Sequence, residues 1–215
     1  MISSIKKYLL YFLILVYVSG AIGYLFKPAF FSPFTPFTLL FTCFVFLLHQ
    51  PLTNLKYVIS FLALAVIGFA SEVIGVKTGY VFGNYYYGSA LGYKILEVPV
   101  VISLNWALLI NLCVLSASYI TTKPIMLATL SALIITSLDY LIEQVASGME
   151  YWYFLENIAG LQNYLAWFGI SFFASLLFQK QLIKGDKKIA LFFLSLQVFF
   201  FGLIYINKLF NFVSL

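Results

Sequence analysis

The sequence predicts an all-α fold: a polytopic membrane helical bundle of about seven transmembrane helices, forming one integral domain over residues 1–215. Three observations predict it. Mean hydropathy is +1.03. Only 9% of residues are charged, where average soluble chains carry roughly 25%. Apolar stretches recur along the chain, each of about 18 to 23 residues and long enough to cross a ~30 Å hydrocarbon core as a helix. No stretch shows the period-2 alternation of a membrane barrel.

The spans fall at about 8–26, 34–50, 55–75, 98–120, 124–146, 161–179 and 189–210. The first begins after Lys6 and Lys7 and passes Ser19-Gly20-Ala21, which looks like a signal-peptide cleavage site. Its apolar run continues through Leu25-Phe26, longer than a signal h-region, so a retained helix is expected. The second is the weakest, with Pro33, Pro36 and Pro51 crowding its ends and His49 near its exit. Cys43 and Cys113 both fall inside spans and read as small buried side chains; no CxxC pair offers a metal site.

All twelve cations are lysines, and they lie at span ends. The net charge of +5 therefore reads as membrane anchoring and excludes nucleic-acid binding. Seven spans put Lys6, Lys7, Lys56, Lys123, Lys180, Lys184, Lys187 and Lys188 on one face, and Lys27, Lys77, Lys94 and Lys208 on the other. The positive-inside rule makes the first face cytoplasmic. The expected setting is the cell (inner) membrane, with the N-terminus inside.

Seven acids occur in the chain, and three lie within spans. A carboxylate costs several kcal/mol to place in hydrocarbon, so an intramembrane acid marks a functional site by default. Glu72 closes the third span. Asp139 and Glu143 lie about 10 and 4 Å from the end of the fifth, at 1.5 Å rise per residue. These two spans run the same way, and the fourth and sixth begin on the face where they end. Asn105-Trp106 and Asn163 with Trp167 therefore enter the same half of the bilayer as the acids. Glu97, Glu150 and Glu156 lie in loops and face water.

Asp139 and Glu143 share a helix face at i, i+4. Two carboxyls held close in low dielectric cannot both ionise cheaply, so one is expected to keep its proton and serve as a Brønsted acid. The plain alternative is that these acids hydrogen-bond neighbouring helices or interfacial water. Each acid also precedes an aromatic loop: Tyr80, Phe82, Tyr85, Tyr86 and Tyr87 in one case, Tyr151, Trp152, Tyr153 and Phe154 in the other. The order acid, aromatic loop, Asn and Trp occurs twice and reads as a parallel repeat. The loop aromatics either roof a cavity floored by the acids or belong to an interfacial belt.

Residues 72–106 read EVIGVKTGYVFGNYYYGSALGYKILEVPVVISLNW. This resembles the carotenoid-biosynthesis membrane-protein family that includes gamma-carotene hydratases and bisanhydrobacterioruberin hydratases. The motif residues are Glu72, Gly75, Thr78-Gly79, Phe82-Gly83, Tyr85, Tyr87, Leu91-Gly92, Val98-Pro99 and Asn105-Trp106. A second block supplies Asp139, Glu143, Ala146, Tyr151-Trp152, Asn163 and Trp167. The likeness covers about residues 68–170. Glu97 departs from it, standing where a small residue, usually Gly, is expected; Gln144 stands where Pro usually follows the acid.

The resemblance implies a lyase, a hydratase that adds water to the terminal double bond of an acyclic carotenoid end group. The substrate would be lycopene- or gamma-carotene-like, drawn from the lipid bilayer, and the chemistry needs neither metal nor cofactor. Asp139, Glu143 and Glu72 would be catalytic; chemistry and depth favour Asp139 as proton donor, with the roles of the three acids open to permutation. Asn105, Asn163, Trp106, Trp167, Tyr85, Tyr87, Tyr151 and Trp152 would bind substrate or position water. A membrane lycopene-type cyclase would begin with the same protonation. A small-solute or proton transporter would instead need polar groups on both sides of the midplane, and the cytoplasmic half is expected to hold almost none.

Overall fold

The computed structural model describes residues 2–210. Its long helices are α1 (Ile2–Phe26), α3 (Thr35–Leu48), α4 (Leu55–Thr78), α5 (Val100–Ala117), α6 (Pro124–Ala146), α7 (Leu161–Leu182) and α8 (Lys187–Phe210). A short α2 (Pro28–Phe31) and a 3₁₀ turn at Ser32–Phe34 precede α3. Among the described residues, seven helical segments are long and apolar enough to cross a membrane, the second combining α2, the turn and α3 as Pro28–Leu48. The predicted polytopic bundle is therefore the observed one.

Two boundaries differ from expectation for local reasons. The second span starts earlier and is interrupted. Pro28, Pro33 and Pro36 lack an N–H and stand at successive helix starts, where that donor is not needed. The fourth span is shorter than 98–120, because Val98 and Pro99 belong to a hairpin and Ser118 ends the helix. At the end of α4, Gly79 takes a left-handed φ of 68° and its N–H returns to the Gly75 carbonyl, a common helix C-terminus.

Helix α5 is the axis of the bundle. It packs against α3, α4, α6, α7 and α8. A helix apolar on every side belongs inside, and its segment is 78% buried. Gly68 of α4 is needed for this packing: a Cβ there would stand 2.3 Å from Cβ and Cγ of Trp106.

On the face where α4 and α6 end, the two aromatic loops join. Strand β1 (Tyr85–Tyr87) pairs antiparallel with β4 (Trp152–Phe154), placing Tyr85 opposite Phe154, Tyr86 opposite Tyr153 and Tyr87 opposite Trp152. The loops continue beyond the strands through Gly88 N–H to Tyr151 O and Ala90 N–H to Glu150 O. A Cβ on Gly88 would meet the Glu150 carbonyl at 2.2 Å. Strands β2 (Lys94–Ile95) and β3 (Val98–Pro99) form a separate hairpin. Its two turn residues, Leu96 and Glu97, have φ of 52° and 71°, the pairing of a type I′ turn. Glu97 thus holds a left-handed position that suits glycine. Its carboxylate bonds Lys77 Nζ at 2.5 Å on the surface.

The opposite half of the bundle is more polar than its sequence suggested. Buried Tyr57 donates to Asn111 Oδ1 (2.8 Å) and to Gln50 Oε1 (3.4 Å), which also accepts from the Asp186 N–H. These groups are neutral and come from four different segments, so no single span displayed them as a cluster.

Candidate active site

Four helices and both loops meet at one cavity. Helix α4 contributes Glu72, α5 contributes Asn105 and Trp106, α6 contributes Asp139 and Glu143, and α7 contributes Asn163 and Trp167. All seven residues expected to converge line the same space, of about 40 Å³. A water needs roughly 10–15 Å³ on that measure, so a few waters fit. Tyr85, Tyr87 and Trp152 line it from the β1–β4 sheet.

Each acid has its own set of donors. Glu72 accepts three: Tyr85 Oη at 2.5 Å and Tyr87 Oη at 2.7 Å on Oε2, and Trp106 Nε1 at 2.8 Å on Oε1. Asp139 accepts Asn163 Nδ2 at 2.9 Å on Oδ2. Its Oδ1 has no hydrogen bond to any described residue. Glu143 receives one bifurcated donor, Trp152 Nε1, at 3.0 and 3.1 Å from its two oxygens. Asn105 lines the cavity with an amide that makes no hydrogen bond within the described residues.

The strand geometry decides which tyrosines take part. Successive side chains on a strand point to opposite faces. Tyr85 and Tyr87 are buried beneath the sheet, whereas Tyr86 is 52% exposed and stacks on Tyr153 with ring centroids 5.4 Å apart. Tyr80 is 86% exposed. The aromatic roof is therefore narrower than the loop sequences suggested. Burial, reinforced by the adjacent Glu72 charge, pushes the Tyr85 and Tyr87 phenols well above the ordinary value of 10.0. Both remain donors to Glu72.

Tyr151 is not brought to the acids. It lines a second cavity with Tyr17, Tyr24, Thr35 and Gln197, walled by α1, α3 and α8. Its neighbour Trp152, the first residue of β4, turns to the acid side, on the strand face it shares with Phe154. Phe82 and Phe154 also line the acid cavity, and nothing in the order of the loop aromatics distinguishes them from their neighbours. Ile102 and Leu109 stand at i−4 and i+3 from Trp106, and Ile142 at i+3 from Asp139; helical spacing alone would have marked all three.

The two halves of the site are related. Tyr86 follows Glu72 by 14 residues, and its sheet partner Tyr153 follows Asp139 by 14. The sheet register thus matches Glu72 with Asp139. Trp106 and Trp167, one from each half, stack with centroids 3.9 Å apart and planes within 6°. Gln162 at the start of α7 ties the halves together, donating to the Gly79 and Tyr80 carbonyls past the end of α4.

This geometry defines a polytopic membrane protein with a carboxylate-lined, aromatic-walled cavity at one end of its bundle. The family model described as carotenoid biosynthesis protein matches residues 34–214, and the chain belongs to that family. No curated protein and no solved structure matches it. Family membership carries a role in carotenoid biosynthesis and implies a carotenoid as substrate.

Proposed function

We propose that this protein is a carotenoid hydratase that adds water to the terminal trisubstituted alkene of an acyclic end group. One observation carries the reading: Asp139 Oδ1 and the Asn105 amide, both without a hydrogen-bond partner among the described residues, belong to residues that line a cavity with room for water. An acid and a water site are what hydration requires.

In the proposed reaction Asp139, in its protonated form, gives its proton to the less substituted alkene carbon. The π electrons form the new C–H bond and leave a tertiary cation on the neighbouring carbon. Phe82, Phe154 and the tryptophan rings present π faces to that charge, an interaction worth ~0.5–2 kcal/mol per well-placed ring. Water held by Asn105 attacks the cation, and the excess proton returns to the carboxylate of Asp139, directly or through Glu143 one helical turn away. The proton balance is zero, and one water is consumed.

Asn163 holds Asp139 in place by its 2.9 Å hydrogen bond. Glu72 has a positioning role here, since both its oxygens are already engaged by protein donors. A cyclase would use the same protonation but would capture the cation with an internal alkene and gains nothing from an unpartnered amide. The deciding experiment is expression in a lycopene-producing host with product analysis by mass. A tertiary alcohol heavier by one water supports hydration, whereas a ring-bearing hydrocarbon of unchanged mass overturns it. Asp139→Asn should yield no alcohol while inserting normally.

A further inference from the structure

Hydration as proposed above returns its proton but uses up a water at each turnover, so the site must be resupplied with water from outside the lipid. Much of the wall around Asp139 is apolar: Phe82, Ile102, Leu109 and the Trp106–Trp167 stack. A different cavity lies on the far side of Glu143. It measures about 130 Å³ and is lined by Gln144, Ser147, Asn157, Ala159, Tyr164 and Lys208, together with Glu143, Trp152 and Phe154.

Its character is the reverse of the acid cavity's, with polar surface predominating, and Ser147 and Asn157 open it to the loop face. The lysine ammonium of Lys208 is fixed at its margin by a 2.6 Å bond to the Gln144 carbonyl. Glu143, Trp152 and Phe154 line both cavities. The partition between them is thus one layer of side chains, and its polar part is the Glu143–Trp152 hydrogen bond. At roughly 10–15 Å³ per water the outer space holds several.

We infer that this outer cavity is the water inlet of the acid site, and that water passes at the Glu143–Trp152 pair. The inference rests on the hydratase reading and adds the route of its second substrate. The two groups facing the passage suit water: a carboxylate whose oxygens share a single donor, and an indole N–H that water can replace at that carboxylate. Phe154 completes the partition without offering a competing polar path.

The test is to plug the inlet without touching the acids. Ala159→Trp places an indole in the outer cavity from a loop position, and Ser147→Phe does so from the end of α6. Leu155→Trp, exposed and outside both cavities, controls for a bulky ring on this loop. Each variant is expressed in a lycopene-producing host, and alcohol yield, isomerised alkene and co-purified pigment per protein are measured. Plugging should lower alcohol at least tenfold while bound pigment stays at the wild-type level. The uncaptured cation then loses a methyl proton to Asp139, so double-bond-shifted alkene should rise relative to alcohol. Leu155→Trp should match wild type. Wild-type alcohol yields and ratios in both plugged variants overturn the inlet and leave the hydratase reading intact. A wild-type protein that makes no alcohol overturns the hydratase reading itself, and the inlet with it.

Discussion

Replacing Glu72 tests whether its part is to hold the site together, distinct from the proton donation proposed for Asp139. Its carboxylate accepts from Tyr85, Tyr87 and Trp106, all buried. Glu72→Ala orphans three buried donors at about 1–3 kcal/mol each, so a loss of about 3 to 9 kcal/mol is expected. That approaches the whole stability of many proteins, ~5–15 kcal/mol. Glu72→Gln is milder. The amide oxygen can still accept from Trp106, and the two phenols can rotate to accept from its NH₂, leaving about one conflict of 1–3 kcal/mol. At roughly 2–4 °C per kcal/mol for a chain of this size, Glu72→Gln should melt a few degrees lower and Glu72→Ala should not hold its fold. The assay pairs thermal melting in detergent with alcohol yield in a lycopene-producing membrane. Glu72→Gln should retain measurable hydration, unlike Asp139→Asn. The reasoning fails if Glu72→Gln melts like wild type yet makes no alcohol, because Glu72 would then be the proton donor.

Four further outcomes follow from particular contacts. Gly68→Val should displace Trp106, whose side chain stands 2.3 Å from the added Cβ, and cut alcohol yield more than tenfold; circular dichroism of the stacked indoles should report the displacement. Glu97→Gly should be neutral or raise stability by up to about 2 kcal/mol, since relief of ~1–2 kcal/mol at a left-handed position matches or exceeds an exposed ion pair worth ~0–1 kcal/mol; a lower melting temperature would contradict this. Tyr85 and Tyr87 keep their protons above the ordinary value of 10.0, so the folded chain holds protons that the unfolded chain releases. Stability should therefore be intact below pH ~10 and fall as pH rises beyond it, less steeply in the Tyr85→Phe/Tyr87→Phe double variant; equal slopes would refute the assignment. Tyr151→Phe should leave hydration within about twofold, since Tyr151 lines the other cavity, and a tenfold loss of alcohol would place it in the reaction.

Hydropathy and helix rise were enough to locate the spans and to bring Glu72, Asp139, Glu143, Asn105 and Asn163 to one end of the bundle. Both signals are local, and membrane topology converts them into three dimensions without further information. The β1–β4 pairing is not local. Whether Tyr85 or Tyr86 faces the acids depends on a partner strand 67 residues away, although the alternation of a short strand already says that the two cannot face the same way. Trp152 and Tyr153 part company for the same reason. The triple engagement of Glu72 was hidden because its donors come from a loop and from the next helix. The polar cluster of Gln50, Tyr57 and Asn111 was hidden because each residue sits alone in its own segment. The departure at Glu97 was visible as an unexpected residue type, and its meaning emerged only with the φ of 71°.

The chain contains three tryptophans, and Trp106, Trp152 and Trp167 all line the acid cavity. Its tryptophan emission therefore originates at this cavity. The parallel indoles of Trp106 and Trp167, 3.9 Å apart, are close enough to share excitation, while Trp152 reports from the β1–β4 sheet. A conjugated polyene arriving among them would drain that excitation. The protein thus carries its own optical gauge of occupancy, readable in a membrane without any label.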